Sequence, residues 1–250
     1  MKRTVDVCFS PDLLHLYDLE DKVVVVVDIL RATSCMTTAI AHGVKSITPV
    51  ASLEECEILK MKGLLAAAER DGQIAEGFDM GNSPFSYMDE TIGGKELAVT
   101  TTNGTLAITK SKNAIQVLIG SFLNISTLAE YLLNEPHNVL ILCAGWKGKF
   151  NLEDTIFAGA LAKRLCTEFK EACDAPLAAI TLYEAAKDDM IGFLANSSHV
   201  KRLQRLDIHK DIDFCLQEDI YPVIPVLKKG KLVKMKLKKT VRNNKAVSLK

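Results

Sequence analysis

Five consecutive valines at residues 23–27 constrain this 250-residue chain more than any other feature. β-Branched side chains favour extended backbone, and a strand without polar alternation must be buried on both faces. Such strands lie inside sheets covered by helices on both sides. Apolar runs of similar length recur at residues 4–9, 46–50, 64–68, 97–100, 114–119 and 138–143. Segments of helical pattern lie between several of them, at 33–42, 53–62, 105–110, 125–133 and 152–169. This alternation predicts a three-layer α/β/α fold on a mainly parallel or mixed sheet. After Asp174 the rhythm becomes a helical later portion, with pieces around 177–186, 188–196, 198–206 and 210–217. Residues 223–227 and 232–238, joined across Lys228-Lys229-Gly230-Lys231, predict a terminal hairpin.

The charge is uneven. Ten of the 31 Lys and Arg fall within 228–250, where there is no Asp or Glu, so residues 1–227 carry ten more acidic than basic groups. An acidic body does not favour nucleic acid. The expected organisation is a single α/β catalytic domain over 1–227 and a basic extension over 228–250, part hairpin strand and part frayed tail. Its lysines suit a solvated edge strand, since charged edges discourage strand-to-strand aggregation; a contact between subunits of a homo-oligomer is the other reading. No apolar stretch is long enough to span a membrane, and residues 1–6 lack the apolar region of a secretory signal. Seven cysteines without C-x-x-C spacing read as reduced thiols, so a cytoplasmic protein is expected.

In a parallel sheet, ligands gather beyond the carboxyl ends of the strands. Four strand ends here carry polar clusters. Asp28-Ile29-Leu30-Arg31-Ala32-Thr33 places a carboxylate, a guanidinium and a hydroxyl where a helix begins; Asp28 and Thr33 could also simply cap it. Glu69-Arg70-Asp71-Gly72 leads into a polar loop that ends in Asp79-Met80-Gly81-Asn82-Ser83-Pro84. Thr101-Thr102-Asn103-Gly104-Thr105 is a hydroxyl-rich turn of the kind that cradles a phosphate or sulfonate, or that caps a helix. Cys143-Ala144-Gly145-Trp146-Lys147-Gly148-Lys149 precedes a helix with Glu153 and Asp154 in its first turn. Those carboxylates suit the helix dipole and would also suit a hard cation. Cys143 and Lys149 approach the spacing of a thiolate phosphatase loop, which keeps a Cys143 nucleophile as an alternative. His199, beside Lys201 and Arg202 at a helix start, can face an anionic substrate. Walker A and G-x-G-x-x-G signatures are absent from the sequence. Hydroxyls, glycines, cations and carboxylates together suit phosphate chemistry with Mg²⁺; a non-catalytic anion-binding protein is the reading from a different class.

The motifs Asp28-Ile-Leu-Arg-Ala-Thr, Glu69-Arg, Gly77-Phe-Asp-Met-Gly-Asn-Ser-Pro84, Thr101-Thr-Asn-Gly-Thr105, Gly120-Ser-Phe-Leu-Asn124, Cys143-Ala-Gly, Glu153-Asp154 with Ala158-Gly159, and Pro222-Val-Ile-Pro225 follow one another over residues 1–230. Together they resemble the 2-phosphosulfolactate phosphatase family. Ala68 stands in place of a glycine and Lys149 in place of an arginine, and the basic extension after Lys231 lies outside the resemblance. The resemblance implies Mg²⁺-dependent hydrolysis of (2R)-2-phospho-3-sulfolactate to (2R)-3-sulfolactate and phosphate, as in coenzyme M biosynthesis; another phosphorylated hydroxy acid is the alternative substrate. The resemblance fixes no individual roles; from their places at the strand ends, Asp28, Glu69 and Asp154, with Glu153 as a possible fourth, are the expected Mg²⁺ ligands. Asp28, Arg31 and Asp154 are the expected catalytic residues. Thr33, Asn82, Ser83 and the turn Thr101, Thr102, Asn103, Gly104 and Thr105 are expected to bind substrate. The small anionic substrate carries a carboxylate and a sulfonate besides its phosphate, so Arg70, Lys147, Lys149 and Arg202 are candidates for a second anionic pocket.

Overall fold

The computed structural model describes residues 2–70 and 73–237. The first strand, β1 (Thr4–Cys8), is followed by β2 (Lys22–Val27), α1 (Ala32–Ala41), β3 (Ser46–Pro49), α2 (Leu53–Met61), β4 (Leu65–Arg70) and β5 (Gln73–Ile74). Then come β6 (Glu96–Thr100), α3 (Gly104–Lys110), β7 (Gln116–Gly120), α4 (Ile125–Asn134), β8 (Asn138–Cys143), α5 (Leu152–Leu165) and β9 (Lys170–Glu171). The later portion holds α6 (Asp174–Ala186), α7 (Met190–Leu194), α8 (Ser198–Gln204), α9 (His209–Cys215), β10 (Pro225–Lys228) and β11 (Lys231–Lys234). The elements lie in one sheet of order β5-β4-β6-β3-β11-β10-β7-β2-β8-β1-β9, with helices on both faces. This is the expected three-layer α/β/α class.

The valine strand is central. Val24 pairs in parallel register with Val117 on one side and Leu140 on the other, and its five valines are at most 1% exposed. Their side chains alternate between two cores. Val23, Val25 and Val27 meet Leu128, Phe157 and Leu161 from α4 and α5, together with residues of α6–α9. Val24 and Val26 meet Met36, Ala39 and Ile108 from α1 and α3. The smaller helix α2 covers Ala66 and Ala98. Helix α1 is buried from Ala32 to Ile40 although four of its residues carry hydroxyls. All four bond carbonyls one turn back or just before the helix: Thr33 Oγ1 to Asp28 O (2.9 Å), Ser34 Oγ to Ile29 O (2.9 Å), Thr37 Oγ1 to Thr33 O (2.8 Å) and Thr38 Oγ1 to Ser34 O (2.9 Å). Bonded to backbone in this way, a hydroxyl can be buried without being left unsatisfied.

Two expectations need correction. The helix expected over 152–169 stops at Leu165, and Phe169 returns to the core from the following segment. The basic hairpin forms, but it is not an edge. β10 pairs antiparallel with β7, and β11 antiparallel with β3, so the hairpin fills the middle of the sheet. Only the ends of β11 are lysines. Lys231 reaches Glu96 (3.2 Å), while Leu232 between the ends is fully buried. The apolar pair Leu232-Val233 is too short for its alternation to reveal which side of the strand is covered. The expected frayed tail lies outside the described residues. No helix among them is long and apolar enough to cross a membrane.

Candidate active site

The parallel strands β2, β4, β6 and β8 end on the same side, and the segments that follow them close on one cleft. Asp28, Leu30 and Arg31 come from the end of β2, Glu69 from β4, and Thr101, Thr102 and Asn103 from the turn after β6. Gly145 and Trp146 come from the loop after β8, and Asn82 from the segment before Pro84. Helix α8 adds His199, Arg202 and Leu203.

Asp28 and Glu69 are each only 8% exposed. Thr33 Oγ1 accepts the Asp28 amide (3.0 Å) and donates to the Asp28 carbonyl (2.9 Å). That bonding commits Thr33 to holding the loop, and it does not line the cleft. Burial pushes the Asp28 carboxyl up to about 6; His199 and the Ala32 amide oppose the rise, and Glu153 and Glu69 add to it. Gly104 leaves room for this carboxylate. A Cβ there would stand 2.9 Å from the Ala32 Cβ and 3.0 Å from Asp28 Oδ2.

Asp154 is fully buried behind the cleft. Its Oδ1 accepts the Ile29 amide (2.8 Å) and its Oδ2 the Gly145 amide (3.2 Å), so one carboxyl ties the loop after β2 to the loop after β8. Burial first, then Asp28 and Glu153, raise its pKa well above the carboxylate range. Glu153 is also buried; Oε1 meets His199 Nδ1 and accepts from Asn151 Nδ2 (3.2 Å), while Oε2 has no hydrogen-bond partner among the described residues. The four carboxylates expected to bind metal therefore share one electrostatic neighbourhood, with Asp28 and Glu69 at its open side. Among the described residues, no three His, Cys, Asp or Glu side chains are gathered as a preformed metal site. A hard ion such as Mg²⁺ does not require one, because it commonly uses one or two carboxylates, retains waters and takes its remaining oxygens from a phosphate. The oxygen-only pair Asp28 and Glu69 fits that pattern.

The cations divide differently from expectation. Arg31 forms a buried ion pair with Asp211 of α9, and Asp211 Oδ1 also accepts from Ser83 Oγ (3.0 Å). Ser83 thus supports Arg31 through Asp211. Arg202 sits over the Trp146 indole, its guanidinium carbon 3.5 Å from the ring centroid. Arg70 Nη1 instead donates to the Glu69 carbonyl (2.7 Å). Lys147 and Lys149 do not line the cleft; the Lys147 amide bonds Asn103 Oδ1 (3.2 Å), and Lys149 closes a tight turn with Trp146. Of the four candidates for a second anionic pocket, only Arg202 faces it. Thr101 and Thr105 bond each other reciprocally, by Thr105 Oγ1 to Thr101 O (2.9 Å) and Thr105 N to Thr101 Oγ1 (3.2 Å), so Thr105 shapes the turn.

Sequence reasoning did not anticipate Asp211, Leu203 or the role of Trp146. Asp211 pairs with Arg31 180 residues away, and Trp146 meets Arg202 and His199 from a distant helix, and no local pattern signals such pairings. The Cys143 alternative does not fit. Burial, followed by Asp154 and Cys8, raises that thiol well above its ordinary range, whereas a thiolate nucleophile needs a depressed one.

The raised Asp28 pKa has a thermodynamic signature. The folded state holds this proton up to about pH 6, whereas the unfolded chain releases it near 3.8. Without metal, the stabilisation from keeping Asp28 protonated is complete below pH 3.8 and is lost as pH rises through 6. At about 1.4 kcal/mol per pH unit this amounts to about 3 kcal/mol. Thermal unfolding of metal-free wild type and Asp28→Asn should show the variant gaining relative stability from pH 4 to 6 and holding it above; parallel curves would remove the burial effect.

A family model described as 2-phosphosulpholactate phosphatase matches residues 8–230. A protein of Thermotoga maritima named "Probable 2-phosphosulfolactate phosphatase" is 39% identical over 226 residues, covering 90% of this chain and 96% of its own length. A protein of the same name from Caldanaerobacter subterraneus subsp. tengcongensis is 40% identical over 219 residues, covering 85% and 90%. Another, from Clostridium acetobutylicum, is 36% identical over 235 residues, covering 92% and 99%.

Proposed function

Because the chain belongs to the 2-phosphosulfolactate phosphatase family, we propose that it hydrolyses 2-phospho-3-sulfolactate to 3-sulfolactate and phosphate, with Mg²⁺ as its cofactor. In enzyme class it is a phosphoric monoester hydrolase. The observation that carries the reading is one cleft in which two carboxylates, Asp28 and Glu69, share a rim with Arg31, Arg202 and the Thr101–Asn103 turn. Asp28 and Glu69 would hold the ion. Once bound, Mg²⁺ would neutralise charge on the phosphoryl oxygens and bring water near phosphorus.

The protein's own groups do the rest. Arg31, its guanidinium oriented by Asp211 and Ser83, meets the phosphoryl oxygens as a planar donor. Thr102 and Asn103 line the same cleft. Arg202 on Trp146 is placed for the carboxylate or sulfonate, and Asn82 supplies a neutral polar contact. Asp154 is a positioning residue that fixes the Asp28 and Gly145 loops relative to one another. The unpaired cysteines suit a reducing, cytoplasmic setting, and a role in coenzyme M biosynthesis depends on the substrate.

The test is phosphate release from phosphosulfolactate by EDTA-treated protein, with and without added Mg²⁺. Release that Mg²⁺ restores is the expected result, and EDTA-resistant release would overturn the metal requirement. Turnover of another phosphorylated hydroxy acid alone would change the substrate. Sulfolactate binding with no turnover of any ester would make the cleft a binding site only.

A further inference from the structure

We infer that His199 is a catalytic residue which protonates the leaving oxygen of the phosphate ester, and that Glu153 positions it. The inference deepens the hydrolase reading and rests on it.

The imidazole is held from three elements. Helix α8 carries it, and Trp146 of the loop after β8 stacks on it, with centroids 5.9 Å apart and planes at 29°. Glu153, in the first turn of α5, takes its Nδ1. The ring lines the cleft with 11% of its side chain exposed, whereas the Glu153 side chain is fully buried. Burying a carboxylate with one oxygen unpartnered among the described residues is costly. The expense is understandable if the carboxylate fixes the imidazole. A carboxylate on Nδ1 sets the ring's orientation and leaves Nε2 as the nitrogen that meets a ligand. The ring lines the same cleft as Asp28 and Glu69, the carboxylates that would hold the metal, with Arg202 one helical turn from it on α8.

The step balances. The bond from phosphorus to the C2 oxygen breaks with its electron pair left on oxygen, which takes the Nε2 proton and leaves as the hydroxyl of sulfolactate. Water forms the new bond to phosphorus, and the proton it releases returns to Nε2. An alkoxide of a secondary alcohol is a poor leaving group, so protonation during bond breaking contributes strongly to the rate.

His199→Gln, Glu153→Gln and His199→Ala test this, with folding checked by circular dichroism. His199→Gln should lower kcat on the proposed substrate by about 10²- to 10⁴-fold, with KM within about threefold of wild type. Glu153→Gln keeps the imidazole, so it should lose less in kcat while shifting the ring ¹⁵N resonances of His199. Imidazole added to His199→Ala should restore part of the turnover. In wild type, inorganic phosphate with Mg²⁺ should move the His199 resonance, a readout independent of whether the variants fold. Active wild type with less than a tenfold kcat loss in His199→Gln, or a His199 signal that phosphate leaves unmoved, would overturn the inference alone. Inactive wild type would overturn the hydrolase reading and this inference with it.

Discussion

Asp28→Asn is expected to lower kcat by about 10³-fold while KM changes by less than about threefold, since removal of one well-placed electrostatic group commonly costs 10²–10³ in rate. The asymmetry follows from where the charge sits. Asp28 is 8% exposed, its backbone is locked by Thr33, and its side chain shares the cleft with Glu69. An amide retains shape and polarity but offers a metal only a neutral oxygen. Ground-state binding of the anionic substrate depends on Arg31, Arg202 and the Thr101–Asn103 turn, which the substitution leaves in place. Steady-state kinetics across a Mg²⁺ titration checks this. Unchanged turnover at saturating Mg²⁺ would remove Asp28 from the chemistry, and a loss confined to KM would make it a binding residue.

Leu232→Asp is expected to prevent folding. Leu232 is fully buried in β11, with Ile47 as its register partner on β3. Losing a buried leucine costs about 2–5 kcal/mol, and an unpaired charge in the same place adds several more. The total rivals the whole stability of an ordinary domain, about 5–15 kcal/mol. The control is Lys229→Asn in the exposed turn, where Lys229 and Gly230 have φ of 50° and 79°. Asparagine tolerates that left-handed conformation better than lysine, so the control should match or exceed wild type in Tm. Soluble, cooperatively unfolding Leu232→Asp protein would show that the hairpin is dispensable to the sheet.

The contrast between these two residues shows what a linear reading can recover. Asp28 follows a strand that only a doubly covered sheet can accept, and strand ends are where such folds collect ligands. Asp28, Arg31, Glu69, Asn82 and the Thr101–Asn103 turn were therefore legible from position and residue type. Strands and helices were legible for the same reason, because apolar periodicity is local. Leu232 was not, since strand order depends on which backbone edges remain unpaired after every other element has docked. The same limit hid the pairing of Glu153 with His199 and of Arg31 with Asp211, separated by 46 and 180 residues. Asp154 lies behind the cleft, and spacing could not tell a carboxylate facing substrate from one tying two loops together.

The placement of the hairpin also bears on the order of events during synthesis. Without β10 and β11, the sheet is two separate pieces, β5-β4-β6-β3 and β7-β2-β8-β1-β9. The cleft draws on both, with Glu69 and Thr101 from one and Asp28 and Gly145 from the other. The strands that join them are translated after all the others, and the β11–β3 pairing closes a loop from residue 47 to residue 232. A nascent chain can assemble either piece at the pace of translation, yet it carries two open strand edges until the seam arrives. Activity therefore appears only after residue 232 has been made, and during that interval β3 and β7 are the edges a chaperone would need to shield.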